Sequence, residues 1–408
     1  MKNKKTYQLI ENNFSISRII KNIISMVLFP LKYILPKKYI IFSGTTNYNY
    51  NGNSRYLFEY LSKKSTYKVY WFTRSKIVKE HLRKNNFNYL SYSNPFKLII
   101  VSAMTKIIMN DGDDYFNIFG LSDTKRTFKI SLFHGFGPKI TLYGETKDVR
   151  TERINKFDYV NFTSKYLGSE VSRDIFGLPP RKVKILGFPR NDLFYNNNLA
   201  QKSLVKKKSI SKLYRGIMSK TTKVILYTPT WRPYDYNLPI MDLVGFEIKL
   251  FNNFLIENNI FFIYSTHSAN PPRNHLESSP NIAYIDSKYP LYDTNLTMLE
   301  SDILLNDYST TSVDFSILRR PQIFCMPDYD IYKNTKGFLE DYRKSMPGQE
   351  VTSFISFCDT VKESIEATRS YLKKYEDKRI TILDKYYNLN DNNSSANHKK
   401  FIDDIMRN

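Results

Sequence analysis

Short apolar runs alternate along this chain with segments whose apolar residues recur at spacings of three and four. Tyr39–Ser43 reads as a strand and Asn53–Lys63 as a helix with Leu57 and Leu61 on one face. Tyr67–Phe72 then reads as a strand, Lys76–Lys84 as a helix, and Lys106–Met109, Phe128–Phe133 and Tyr159–Thr163 as strands. Ser164–Phe176 predicts a helix capped by Ser164 and ending near Gly177, followed by a strand over Lys182–Leu186. The pattern lapses between Asn196 and Lys220, which hold Asn196-Asn197-Asn198 and Lys206-Lys207-Lys208. It resumes with strands at Val224–Tyr227, Ile260–Tyr264, Ile282–Ile285, Asp302–Leu305 and Gln322–Cys325. Helices are expected over Gly245–Asn258, Thr310–Leu318 and Val361–Tyr375. Strands separated by helices predict parallel sheets covered by helices, an α/β fold. The lapse predicts a boundary between two such units, 37–200 and 201–380. Residues 1–36 form a separate N-terminal segment, and 381–408 a C-terminal tail ending in a helix. A cleft between two α/β units is a natural ligand site, because open parallel sheets bind ligands outside the carboxyl ends of their strands.

The N-terminal segment carries its own pattern. Ile16, Ile19, Ile20, Ile23, Ile24, Val27 and Leu28 line one helical face, flanked by Lys2, Lys4, Lys5, Arg18 and Lys21. Pro30 and the charges keep the apolar run short of the roughly 20 residues needed to span a bilayer. No small-residue cleavage site follows it. A basic amphipathic helix of this kind lies in an anionic membrane interface or packs on the first unit; both readings stay open.

Composition adds one constraint and removes several classes. The chain has 408 residues, is 41% hydrophobic, and carries a formal net charge of +22. Such a charge points to an anionic partner: a polyphosphate substrate, an acidic membrane surface or nucleic acid. The RNP-type and C2H2 signatures of nucleic-acid binding are missing, as is the glycine-lysine loop of NTP hydrolases. The two cysteines, Cys325 and Cys358, have no ligand-like spacing, so neither a disulfide framework nor a cysteine zinc site is expected. No metal or other cofactor is expected.

Candidate chemistry gathers in four segments. His134-Gly135-Phe136-Gly137-Pro138-Lys139 follows an apolar run, and His134 at a strand's carboxyl end could take a proton from a hydroxyl or merely hydrogen-bond its loop. Gly135 and Gly137 would let backbone approach a ligand, and Lys139 could meet a phosphate as a point charge. Thr228-Pro229-Thr230-Trp231-Arg232 follows another strand; Thr230 could bond a ligand oxygen, and Arg232 offers a planar fork suited to phosphate. His267, in Ser265-Thr266-His267-Ser268, follows the strand Ile260–Tyr264. Finally, Asn306-Asp307-Tyr308-Ser309-Thr310-Thr311-Ser312-Val313-Asp314-Phe315 reads as a strand running into a hydroxyl-rich helix start. Free first-turn amides and the helix dipole could cradle a phosphate there, with Asp314 near the same end.

The order His-Gly-x-x-x-Lys, Thr-Pro-Thr-Trp-Arg, a strand-end His and Asp-Tyr-Ser-Thr with a following Asp-Phe resembles the CDP-glycerol glycerophosphotransferases, which include teichoic acid primases and polymerases. Gly187-Phe188-Pro189-Arg190-Asn191-Asp192, Arg320-Pro321-Gln322-Ile323-Phe324 and Asp328-Tyr329-Asp330-Ile331-Tyr332 agree, so the resemblance runs from about Lys37 to Tyr375. It implies a GT-B architecture of two Rossmann-like domains facing a cleft. It also implies peripheral association with the cytoplasmic face of the cell membrane, and transfer of a polyol phosphate from a CDP-activated donor to a lipid-linked or cell-surface glycan acceptor, with release of CMP. By motif, His134 carries over as the base and His267 as a second catalytic or phosphate-contacting histidine. Asp307, Ser309, Thr310 and Thr311 carry over as the pyrophosphate end of the donor site. One departure stands out: relatives read His-Gly-Thr-Pro-Leu-Lys at the first motif, where this chain has Phe136 and a displaced proline. The specificity of the acceptor side is therefore expected to lie around His134. The readings of different class are a GT-B glycosyltransferase using a nucleotide sugar, and a basic membrane- or polyanion-binding protein without catalysis.

Overall fold

The computed structural model describes residues 30–46, 48–112, 124–139, 147–195, 222–232, 234–235, 237–265, 275–276, 279–387 and 393–407. Of the amphipathic N-terminal stripe, residues up to 29 lie outside these, as does the stretch 196–221 where the boundary was expected.

Two α/β units are present. The first holds a seven-stranded sheet in the order β3-β2-β1-β4-β5-β6-β7. Its strands are β1 (Tyr39–Phe42), β2 (Val69–Phe72), β3 (Tyr89–Leu90), β4 (Thr105–Asn110), β5 (Phe128–Ser131), β6 (Tyr159–Phe162) and β7 (Val183–Ile185). The second holds a six-stranded sheet, β10-β9-β8-β11-β12-β13. Its strands are β8 (Lys223–Tyr227), β9 (Ile260–Tyr264), β10 (Ile282–Tyr284), β11 (Ile303–Asn306), β12 (Gln322–Cys325) and β13 (Gln349–Val351). Every strand pair is parallel. The central strands are buried on both faces, as Ile260-Phe261-Phe262-Ile263-Tyr264 is, which is why they read as unbroken apolar runs.

The expected helices form with shifted ends. Ser164 does cap its helix, accepting a hydrogen bond from the Leu167 amide at 3.2 Å. The helix expected over Val361–Tyr375 is instead two, Phe354–Glu366 and Thr368–Lys374, broken at Ala367 (φ −120°, ψ 39°). The helix Gly52–Lys64 takes its amino-terminal cap from outside its own sequence: buried Asp111, just past β4, accepts from the amide and hydroxyl of Ser54 at 2.8 and 2.9 Å.

The chain returns to the first unit at its end. Ile382, Leu383, Tyr386 and Tyr387 join Phe133, Phe136, Phe162, Phe176 and Phe188 in one buried cluster. The final helix, Ser394–Arg407, places Ile402 and Ile405 in the core with Ile40, Leu57 and Trp71. Its start is held by Asp192, which accepts from the amides of Ser394 and Ser395 at 2.9 and 2.8 Å. Gly187 makes room for it: its φ of +80° disfavours other residues, and a β-carbon there would lie 2.3 Å from the Ser394 hydroxyl. Among the described residues no helix is long and apolar enough to cross a membrane.

His398, on that final helix, is fully buried, with Nδ1 2.8 Å from the Ser394 carbonyl and, among the described residues, no partner for Nε2. Burial pushes its pKa down to about 4 from 6.5, with the Ser394 carbonyl opposing. Because the folded value lies below the unfolded one, the neutral ring's contribution is complete above pH 6.5 and is lost as pH falls through 4. Asp192, raised to about 6 by burial against the Ser394 and Ser395 hydrogen bonds, titrates with the opposite sign, so a variant comparison is needed. Urea unfolding of wild type and His398→Asn between pH 7 and 4 should show wild type losing about 3 kcal/mol more than the variant. Parallel pH profiles would contradict this account.

Candidate active site

The second-unit segments singled out in the sequence leave adjacent strands. β9, β8 and β11 are neighbours, and the sheet order reverses between β8 and β11. Thr228–Arg232 leaves the carboxyl end of β8 and Asp307–Thr311 that of β11, so both lie at the switch point where open α/β sheets bind ligands. Ser265, leaving β9, bonds its amide to Tyr227 at 3.0 Å. His267, two residues on, lies outside the described residues.

Arg232 is almost fully buried and serves two carboxylates. Its Nη1 donates to Asp307 at 2.7 Å and to the Thr230 carbonyl at 2.8 Å, while Nη2 donates to Asp328 at 3.0 Å and Nε bonds the same carboxylate. Asp307 also accepts from the amide and hydroxyl of Thr230 at 2.8 and 2.7 Å. Asp328 accepts from the hydroxyls of Tyr234 and Tyr308 at 2.7 and 3.0 Å. Burial opposes the Asp328 charge, but Arg232 outweighs it and holds the carboxyl below its usual range. Arg232 was expected as a fork for phosphate; it is instead the saturated centre of a structural network. Asp307 likewise shapes the β8 loop through its carboxylate, which faces protein donors.

The hydroxyls beyond Asp307 form a chain. Thr311 Oγ1 lies 2.9 Å from Ser309 Oγ and 3.0 Å from Thr228 Oγ1. The helix begins only at Thr311, with Thr310 at its cap. Its first amides are less free than expected: Thr311 donates to Ser309 Oγ at 3.4 Å, Ser312 to the Ser309 carbonyl at 3.2 Å and Val313 to the Thr310 carbonyl at 3.1 Å. Among the described residues, the amides of Ser309 and Thr310 keep no protein partner.

The His134 loop comes from the first unit and closes on this chain. Phe133 adopts a left-handed φ of 59°, uncommon for a bulky residue, and its carbonyl accepts from buried Asn53 at 2.8 Å. The His134 carbonyl accepts from Arg190 Nη1 at 2.6 Å, and the His134 side chain is exposed, its ring stacked on Phe133 with centroids 5.0 Å apart. A β-carbon on Gly135, whose φ is +156°, would lie 3.1 Å from Thr310 Oγ1 and 3.4 Å from an Arg190 nitrogen. Gly137 approaches Thr310 as closely. These glycines thus let the loop close on the second unit, where a ligand was the expected neighbour. Lys139 forms an antiparallel bridge with Phe338, and the Pro138 carbonyl accepts from the Leu339 amide at 2.6 Å. Burial pushes the Lys139 pKa down to about 8; Asp307 opposes this and Arg232 adds to it.

Two further expectations change. Asp314 does not face a ligand: it is buried, paired with Arg190 Nη2 at 2.8 Å and bonded by the Tyr387 hydroxyl. Phe136 is a core residue, stacked on Phe133 at 4.4 Å and Phe162 at 5.2 Å. The departure from the family motif therefore fills the first unit's aromatic core, and its side chain lines no acceptor surface. Arg190, Asp328 and Asn53 were missed as site residues. The first two stood within quoted motifs, but nothing local marks their partners, 124 and 96 residues away in sequence.

The two sheets, the switch-point loops and the C-terminal return to the first unit define a GT-B transferase. The fold matches the solved structure of the wall teichoic acid polymerase TagF with a TM-score of 0.74 and 20% identity, over 100% of this chain and 99% of that one. Residues 26–402 match the family CDP-Glycerol:Poly(glycerophosphate) glycerophosphotransferase, and the chain belongs to it. It is 27% identical over 401 residues to the teichoic acid glycerol-phosphate primase of Bacillus subtilis, covering 94% of this chain and 96% of that protein. It is 25% identical over 406 residues to the teichoic acid poly(glycerol phosphate) polymerase of Bacillus spizizenii, covering 93% and 95%. A ribitol-phosphate polymerase of Staphylococcus aureus is 22% identical over 383 residues, covering 92% of this chain and 70% of that protein. The family resemblance read from the ordered motifs is borne out.

If Arg232 acts as described, Arg232→Met leaves Asp307 and Asp328 buried without their shared cation. Urea unfolding should show a loss of about 3–5 kcal/mol. A variant of unchanged stability that had lost only donor affinity would restore the phosphate-fork reading.

Proposed function

We propose that this enzyme transfers glycerol phosphate from CDP-glycerol to a hydroxyl of a teichoic-acid-type, lipid-linked acceptor at the cytoplasmic face of the membrane. The acceptor hydroxyl gives its proton to His134, and its oxygen forms a bond to the β-phosphorus. The bond from that phosphorus to the bridging oxygen breaks, and CMP leaves with the electron pair. Lys139, the amides of Ser309 and Thr310 and the hydroxyls around Thr311 offset charge on the phosphates, and His267 is assigned the same task. Catalysis of this kind rests on positioning and electrostatics.

The observation that carries the reading is the closure of the His134 loop on Ser309–Thr311. It brings Gly135 and Gly137, in the loop that carries the exposed His134, against Thr310 at the switch point of the other unit. Family membership supplies the donor class. CMP release from CDP-glycerol, with a glycerol-phosphate-primed acceptor, tests it. His134→Ala should lower the rate by about 100-fold or more. Wild-type rates in both His134→Ala and His267→Ala would overturn the mechanism. A CDP-ribitol arm reads donor choice, since relatives carry both polyols in their names.

Membrane attachment is assigned to the basic amphipathic segment before Pro30. The described chain from there on is anchored independently: Arg126 donates to the Tyr33 carbonyl, and Lys37 to that of Ala103 at 2.8 Å. Deleting residues 1–29 should therefore abolish sedimentation with phosphatidylglycerol liposomes while preserving CMP release to a soluble acceptor. Undiminished sedimentation would remove the anchor assignment.

A further inference from the structure

The His134 side chain leaves a backbone whose two neighbouring carbonyls are each held by a different buried side chain. The Phe133 carbonyl accepts from Asn53 Nδ2 at 2.8 Å, and the His134 carbonyl accepts from Arg190 Nη1 at 2.6 Å. The two donor residues are themselves joined, since Asn53 Oδ1 accepts from the Arg190 amide at 3.3 Å. Asn53 is fully buried and Arg190 is 5% exposed, so water competes little for these bonds.

The backbone here needs such a hold. The left-handed φ of 59° at Phe133 is strained for an aromatic residue, and strained backbone persists where its surroundings over-determine it. Relaxation of that angle would redirect every bond beyond it, the Cα–Cβ bond of His134 included. Arg190 is itself locked in place. Its guanidinium carbon lies 4.5 Å from the centre of the Phe188 ring, Nη2 donates to Asp314 at 2.8 Å, and a β-carbon on Gly135 would stand 3.4 Å from that nitrogen. Its Nε is buried with no partner among the described residues. An orphaned buried donor is unfavourable, so the direction of this side chain is set by its two Nη bonds and not by satisfying every donor.

We infer that Asn53 and Arg190 are positioning residues for the transfer: together they clamp the backbone around Phe133 and His134 and hold the imidazole in its working direction. Neither needs to touch a substrate; both act through His134. Asn53 anchors the clamp on the helix Gly52–Lys64 of the first unit. Arg190 anchors it on Asp314, so the second unit also helps to set the direction of the imidazole. The inference rests on the assignment of His134 as the base in the proposed reaction.

The test uses the full chain and two variants that loosen the clamp from different sides. Asn53→Ala removes the bond to Phe133 and leaves the Arg190–Asp314 pair in place. Arg190→Lys keeps a cation for Asp314 but loses the planar fork that serves two partners. Each should lower kcat for CMP release from CDP-glycerol, with a glycerol-phosphate-primed acceptor, by about 10- to 100-fold, and should change donor KM by less than about twofold. In a His134→Ala background each should change the residual rate by less than about twofold, because no imidazole remains to be positioned. Histidine-selective NMR reads the imidazole without turnover. Of the five histidine signals, the one lost in His134→Ala should move in both clamp variants. An equal fold loss in the wild-type and His134→Ala backgrounds shows a merely structural role and overturns the inference, as does an unchanged kcat, or an unmoved His134 signal, in both variants. Should Arg190→Lys fail to fold, Asn53→Ala decides by the same measurements. If His134→Ala itself releases CMP at the wild-type rate, the base assignment falls; a moved His134 signal then leaves the clamp standing as a hold on the loop, and an unmoved one removes it too.

Discussion

The ion pair between Arg190 and Asp314 joins the two units beneath the site, and most of the local geometry hangs from it. Both side chains are nearly buried, at 6% and 5% exposure, with 2.8 Å between them. Burying two charges costs about as much as their attraction returns, so the pair adds little net stability. What it supplies is direction. One guanidinium holds the carbonyl of His134, the carboxylate of Asp314 on the hydroxyl-rich helix, and, through Asp314, the hydroxyl of Tyr387. The His134 loop, the helix that starts at Thr311 and the C-terminal return are thereby set relative to one another by a single planar group.

Apolar burial provides the stability on which that arrangement rests. The aromatic stack of Phe133, Phe136, Phe162 and Phe188 lies directly under the His134 loop, and Tyr387 closes it from the C-terminal segment. A second tie, half-buried Arg55 to buried Asp293 at 3.1 Å, also joins the two units. In the second unit, Arg232 neutralises two carboxylates, Asp307 and Asp328, within the network that shapes the β8 loop.

Much of the fold was legible because strands buried on both faces must be apolar throughout, and the covering helices must be apolar on one side. The strands Tyr89–Leu90 and Gln349–Val351 escaped notice because pairs and triplets of residues carry no period. The helix Pro95–Ala103 escaped because a run such as Phe96-Lys97-Leu98-Ile99-Ile100-Val101 is apolar all round and reads equally as strand. Of the candidate site, His134, Gly135, Lys139, Thr230, Ser309, Thr310 and Thr311 do gather at one switch point. Phe136 was misjudged because a motif position says nothing of which way its side chain points.

By itself, the order of residues determined the two parallel-sheet units, the family, and the segments that leave strand ends, since these depend on local periodicity and on motif spacing. Only the tertiary structure decided which charged side chains are available to a substrate. Arg232, Asp307 and Asp314 have the chemistry to bind phosphate or move a proton, yet burial against partners from elsewhere in the chain commits them to one another. The role of a charge depends on what neutralises it, and that neighbour is chosen by the fold.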